Sequence, residues 1–223
     1  MYLQITGTVI ALTGAVAAFI YGMTRSFRIN SALYAQIMVF AAGCFMLGRL
    51  YETVCYITFG ELPGRAHIGY NGTLGMVLFL LAGSRGRLDS LVDDGRKELR
   101  RYRLIPLAMS LAMLIFMIAA VCGGEQTKHY GQTAVLVIAG ILMMITMYYE
   151  FKHLIFPDEG LNFVNPIRGA NISALILNLS AYGLLYAQME RVDLLYLIMA
   201  VIAAVSCVAL VVTADKGVMA WKH

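Results

Sequence analysis

Two residues of opposite charge, Arg49 and Glu52, lie three positions apart inside the long apolar stretch Ala32–Thr58. In a helix this spacing puts both side chains on one face. A charge at the bilayer centre costs about 2.5–3.5 kcal/mol, whereas each apolar residue of a span returns only about 0.3–0.6 kcal/mol. Two readings follow: the pair lines an outward-facing polar pocket inside a helix bundle, or Arg49 extends to the headgroups beside an interfacial Glu52.

Further polar residues lie near Arg49 and Glu52, at the end of Ala32–Thr58 and at the start of the next apolar stretch. Tyr51 lies between the two charged residues, and His67 and Asn71 begin the next apolar stretch, four positions apart. If that stretch is helical from its start, His67 and Asn71 share a face and point toward the preceding helix. We predict one ligand-binding site from these residues: Arg49, Glu52, His67, Asn71 and Tyr51. The guanidinium is expected to bind an anionic group, while the carboxylate balances charge or carries a proton.

The other polar residues of the apolar stretches indicate packing. Asn178 lies near the middle of a predicted span, where an amide usually bonds another helix. The four cysteines lack the spacing of a zinc or redox motif. Cys55 and Cys122 both fall at outer helix ends, so a disulfide between them is left open. We predict no metal site, no cofactor and no catalytic group.

Composition indicates the solvent of this chain. Of its 223 residues, 60% are hydrophobic and 13% are charged, and the mean hydropathy is +0.74. Soluble domains have about 45–50% apolar and about 25% charged residues. This composition excludes a soluble enzyme and a free nucleic-acid-binding protein, and we expect no nucleic-acid partner. The main partner is predicted to be the lipid bilayer, and the location is predicted to be the cell membrane.

Long apolar runs without strict alternation predict transmembrane helices rather than a barrel. We predict an all-α, multi-pass bundle of seven transmembrane helices in a single domain, 1–223. The segment Met1–Gln4 lacks the positive region of a signal peptide, so the first span is expected to be retained. The predicted spans are Leu3–Met23, Ala32–Thr58, Ile68–Gly83, Ile105–Cys122, Thr133–Tyr149, Ala170–Gln188 and Leu194–Thr213.

Basic residues predict the orientation. With the N-terminus outside and the C-terminus in the cytoplasm, thirteen lysines and arginines fall on the cytoplasmic side, and only Arg65, Lys128 and Arg191 fall outside. This bias agrees with the positive-inside rule. Both longer connections are then cytoplasmic. Ser84–Arg103 is predicted to carry a short surface helix. Phe156–Arg168 contains Pro157, Gly160 and Pro166, which exclude a continuous helix through this link.

Similar short motifs at the start of the second and sixth spans indicate a parallel repeat of three helices, one linking helix and three helices. Three functions remain open. The leading one is a small-solute transporter or solute-binding membrane protein for an anionic or zwitterionic solute. The second is a sensory or regulatory module that signals through a protein partner at loop 84–103. The third is an intramembrane lipid-modifying enzyme, for which the candidate groups are the cluster Asp89, Asp93 and Asp94, or His67 with Glu52.

Overall fold

The structure of the protein is a computed structural model, which describes residues 2–27, 32–62, 67–85, 100–123, 130–155 and 164–221. Within these residues the chain forms helices and no strand. The all-helical bundle predicted from the apolar stretches is confirmed. The helices are α1 (Tyr2–Ser26), α2 (Leu33–Phe59), α3 (Gly69–Arg85), α4 (Arg101–Cys122), α5 (Tyr130–Ile155), α6 (Val164–Met189) and α7 (Asp193–Trp221).

Helix length and apolarity support a multi-pass membrane protein. Six helices, all except α3, are long and apolar enough to cross a membrane. Helix α3 has 17 residues, which rise about 26 Å at 1.5 Å per residue, slightly less than the hydrocarbon thickness of about 30 Å. Which end of the bundle faces the cytoplasm stays a prediction, based on the distribution of basic residues.

The helices continue past the predicted spans. Helix α6 begins at Val164, inside the link Phe156–Arg168, and includes Pro166 in its first turn. A proline is tolerated there because the first turn of a helix needs no backbone N–H donor. The predicted surface helix in Ser84–Arg103 and the Asp89, Asp93 and Asp94 cluster lie outside the described residues.

Six helices form a closed ring. Around the ring α1 packs on α2, α2 on α3, α3 on α5, α5 on α6, α6 on α7, and α7 on α1. Helix α4 packs mainly on α5, outside the ring. The ring therefore joins a group α1–α3 to a group α5–α7, with α4 between them in sequence. This arrangement is compatible with the predicted repeat, which stays a prediction.

Helices α2 and α3, which carry most of the site described below, approach unusually closely. A Cβ placed on Gly72 of α3 would lie 2.5 Å from the Gly48 Cα of α2 and 2.6 Å from the Cys44 carbonyl oxygen. Only glycine fits a backbone contact of this kind. Helix α2 ends at Phe59 and is capped by Gly60, whose φ of 74° is a conformation that favours glycine. The end of the bundle that holds Gly60 and the start of α3 is called the site end below.

Candidate functional site

Arg49 and Glu52 form a buried ion pair on α2. Both side chains have 0% exposure, and Arg49 Nη1 lies 2.8 Å from Glu52 Oε2. The two side chains meet because positions three apart are neighbours on one helix face. The pair is thus enclosed by helices, as the pocket hypothesis requires, and Arg49 does not extend toward lipid headgroups.

Three further helices hold the guanidinium. Arg49 Nη1 donates to the Tyr196 hydroxyl of α7 at 3.2 Å, and Nη2 donates to Thr73 Oγ1 of α3 at 3.2 Å. The Tyr196 hydroxyl in turn shares a hydrogen bond of 2.8 Å with Thr8 Oγ1 of α1. The guanidinium carbon also lies 5.3 Å from the centre of the Phe45 ring, within cation–π range. The positive charge therefore has a position set by α1, α2, α3 and α7.

The other side of the carboxylate faces His67. His67 Nε2 lies 3.8 Å from Glu52 Oε1, and the imidazole has almost no exposure. Its ring centre lies 4.0 Å from the Tyr70 ring and 6.0 Å from the Tyr51 ring. The imidazole therefore lies against two aromatic rings, and its Nε2 is the nitrogen near the carboxylate.

Polar side chains of every ring helix converge at this end of the bundle. Gln188 of α6 lies close enough to affect the Glu52 carboxylate, although without hydrogen-bond geometry. Gln132 of α5 lies against the Tyr70 hydroxyl. The polar cluster is defined as Gln4 and Thr8 of α1, Arg49, Glu52 and Tyr56 of α2, His67, Tyr70 and Thr73 at α3, Gln132 of α5, Gln188 of α6 and Tyr196 of α7.

Several polar atoms of the cluster are buried without a hydrogen-bond partner. They include Arg49 Nε, both carboxylate oxygens of Glu52 and both ring nitrogens of His67. The contact between Arg49 and Glu52 is an ion pair that lacks the alignment of a hydrogen bond. Buried polar groups are rarely left unbonded, and each exception needs a reason, such as a bound molecule. The cluster thus holds a guanidinium Nε–H donor, the Glu52 Oε1 acceptor and an imidazole without hydrogen-bond partners.

The structure brings together four of the five predicted site residues. Arg49, Glu52 and His67 are buried in the cluster, and Tyr51 stacks on His67. Asn71 is not part of it, because its side chain is exposed. The expected helical spacing of His67 and Asn71 is wrong, since α3 begins at Gly69 and His67 precedes it.

Sequence reasoning missed the partners from other helices. These residues are Thr8, Thr73, Gln132, Gln188 and Tyr196. A signal for them does exist in the sequence, because each lies near the end of its helix that the predicted topology puts on the same side as Arg49. Nothing in the spacing shows, however, which of them point inward.

The structure also places the remaining sequence candidates. The Asn178 amide bonds Glu150 on a neighbouring helix, as predicted. All four cysteines are free, so Cys55 and Cys122 form no disulfide. The part of the chain that the structure describes contains no group of three or more His, Cys, Asp or Glu side chains suited to a metal ion.

We expect Tyr196→Phe to lower the free energy of unfolding by about 1.5 kcal/mol, because the hydroxyl bonds both a charged guanidinium and Thr8. Equilibrium unfolding in mixed detergent micelles measures the change. Tyr130→Phe is the matched control, since that side chain is 96% exposed. Equal unfolding curves for the two variants would show that the Tyr196 hydroxyl does not hold the guanidinium.

Comparisons with protein-family models, with curated proteins and with solved structures found no match to this chain.

Proposed function

We propose that this membrane bundle binds a small anionic or zwitterionic solute at the polar cluster and carries it across the cell membrane. The observation that supports this proposal is the fully buried Arg49–Glu52 pair, on which polar side chains of six helices converge. Ionisable residues inside a membrane protein are expensive and usually mark a functional site.

The chemistry of the unpartnered atoms indicates the solute. Arg49 Nε is a cationic donor without an acceptor, so it suits a carboxylate or a phosphate oxygen. Glu52 Oε1, which is not paired with Arg49, suits a donor group, such as the ammonium of a zwitterion. A solute that carries both groups would complete the hydrogen bonds of the pair without adding net charge to the bundle.

The arrangement of the helices favours transport over binding alone. The cluster takes side chains from both groups, α1–α3 and α5–α7. In the predicted repeat α1, α2 and α3 correspond to α5, α6 and α7, and the contacts between the two groups follow this correspondence. Helix α1 packs on α7 just as α5 packs on α3, and α2 packs on α7 just as α6 packs on α3. Transporters built from repeats commonly bind solute at the interface between the repeats, which then move relative to each other.

Binding is tested first, with purified protein in lipid nanodiscs. Thermal unfolding is followed with acetate, succinate, inorganic phosphate and glycine as probes. We expect at least one of them to raise the midpoint of the wild-type protein, and Arg49→Lys to weaken its binding at least about tenfold, because a lysine has no Nε–H and cannot keep the planar contacts. Arg25→Lys, at an exposed position on α1, is the matched control and should bind as the wild type does.

Transport is tested in proteoliposomes with the radiolabelled form of the probe that binds. We expect accumulation by the wild type and by Arg25→Lys, and none by Arg49→Lys. No stabilisation by any of the four probes, or equal binding by the two lysine variants, would contradict the proposed site. Binding without accumulation would contradict transport and would instead favour the sensory module that signals through a protein at loop 84–103.

A further inference from the structure

A second carboxyl group is buried away from the polar cluster. Glu150 of α5 has 1% exposure. It lies one residue beyond the predicted span Thr133–Tyr149, but α5 continues to Ile155 and therefore includes it. Its position near the C-terminal end of α5 puts it in the half of the bundle opposite the site end. From Asn178, its partner on α6, to Gln188 beside Glu52 is ten residues, or about 15 Å along the helix axis.

The surroundings of Glu150 differ from those of Glu52. Within the described residues its polar partner is Asn178, whose Nδ2 donates to both carboxylate oxygens at 3.2 and 3.3 Å. Glu52 by contrast has a guanidinium at 2.8 Å. An ionised carboxylate that is buried without a cation is costly, and such groups take up a proton instead.

Asn178 is suited to both protonation states. In the described geometry its amide donates to an ionised carboxylate, and its Oδ1 is buried without a partner. If the amide turns over, Oδ1 accepts the O–H of a protonated carboxylic acid. The only covalent change is an O–H bond between a carboxylate oxygen and a proton from water.

The charged and titratable groups around the Glu150 carboxyl group lie on α5 and on the helices packed on it. Within the described residues no lysine, arginine or histidine pairs with it. The guanidinium carbon of Arg85 on α3 lies 6.0 Å from the centre of the Tyr149 ring, the residue next to Glu150. Among the side chains that the structure describes, the other titratable groups of α5 and of the helices packed on it, away from the site end, are Tyr148, Lys152 and His153 of α5, Arg103 of α4, and Arg168 and Tyr182 of α6.

Buried polar atoms on α6 continue from Glu150 toward the polar cluster. Tyr182 lies one turn after Asn178 on the same face, and its hydroxyl is buried without a hydrogen-bond partner. Gln188, farther along α6, is also buried with unpartnered amide atoms and lies beside Glu52. Helix α6 thus carries buried polar side chains at three levels between the two buried carboxyl groups, beside Glu150, one turn beyond it and beside Glu52.

We propose that Glu150 with Asn178 is a proton-binding site, and that binding and release of this proton are coupled to solute movement at the polar cluster. The coupling rests on the proposed function, whereas the proton site itself does not. The ligand of the Glu150–Asn178 site is a proton, and the protein would use a proton gradient to drive solute transport.

The proton site is tested without any solute, by infrared spectroscopy of the full chain in nanodiscs over a pH series. We expect a protonated-carboxyl C=O band that disappears as the pH rises. The band should be absent from Glu150→Gln and present in Glu52→Gln and in Glu61→Gln, an exposed matched control. In Asn178→Ala the band should shift in frequency, because the carboxyl group loses its hydrogen-bond partner. A band unchanged in Glu150→Gln, or one that does not respond to pH, would overturn the proposal.

Coupling is tested in proteoliposomes with the probe that the wild type accumulates. An imposed pH gradient should stimulate accumulation by the wild type and by Glu61→Gln. Glu150→Gln should bind the probe with unchanged affinity but lose the stimulation. Equal stimulation of Glu150→Gln would overturn the coupling. If no probe is transported at all, the proposed function fails, and the infrared experiment still decides whether Glu150 binds a proton.

Discussion

Glu52→Met is expected to lower the free energy of unfolding by about 3–5 kcal/mol, the range for breaking a buried ion pair by removing one partner. The carboxylate it removes lies 2.8 Å from Arg49 Nη1, and both side chains have 0% exposure. The guanidinium left behind cannot lose its charge, because it stays protonated in proteins. Equilibrium unfolding in mixed micelles of detergent and dodecyl sulfate measures this loss of unfolding free energy.

Two further variants separate the charge from the packing. Arg49→Met should cost less than Glu52→Met, because the remaining carboxylate can take up a proton and become neutral. The double variant Arg49→Met with Glu52→Met should cost less than Glu52→Met alone, since apolar residues of similar volume replace a buried pair at little cost. Additive losses in the double variant would show that the two side chains do not act as a pair.

Gly72→Ala is expected to cost about 3 kcal/mol, the upper end of the range for overpacking a well-packed core. The added Cβ would lie 2.5 Å from the Gly48 Cα and 2.6 Å from the Cys44 carbonyl oxygen. These are backbone atoms of α2, so the contact is relieved only if α2 and α3 separate. Thr73 would then move away from Arg49, and solute binding should weaken together with stability.

Gly75→Ala on the same helix is the matched control. Its added Cβ would lie 3.1 Å from Sγ and 3.3 Å from Cβ of Cys44, which are side-chain atoms that can adjust. Alanine also favours the helix by about 1 kcal/mol over glycine, so the net change should be small. The two unfolding curves and the probe affinities are compared directly. Equal effects of the two alanines would contradict the close backbone contact at Gly72.

Part of the site could be predicted because its signal is local. A charged pair three positions apart in an apolar stretch must find partners, whatever the rest of the fold is, and Arg49 and Glu52 do pair. Tyr196 could not be predicted in the same way. It lies 147 positions from Arg49 in the chain, and no local pattern indicates that α7 turns its hydroxyl toward α2.

Glu150 is a second residue whose surroundings the sequence does not show. The predicted span Thr133–Tyr149 stops one residue before Glu150. In the structure α5 continues to Ile155, Glu150 has 1% exposure, and its carboxylate accepts a hydrogen bond from Asn178 of α6. Asn71 is the opposite case: the sequence suggested a role in the site, but the late start of α3 at Gly69 leaves the side chain exposed.

The sequence by itself determined that this protein is a helical membrane bundle, because apolar length and scarcity of charge act along each segment separately. It also determined that Arg49 and Glu52 are near neighbours, because a helix repeats every 3.6 residues. Only the tertiary structure decided that α4 lies outside a ring of six helices and that the ring closes around the pair. Those features depend on which faces of different helices meet, and contacts between distant segments leave no periodic trace in a single sequence.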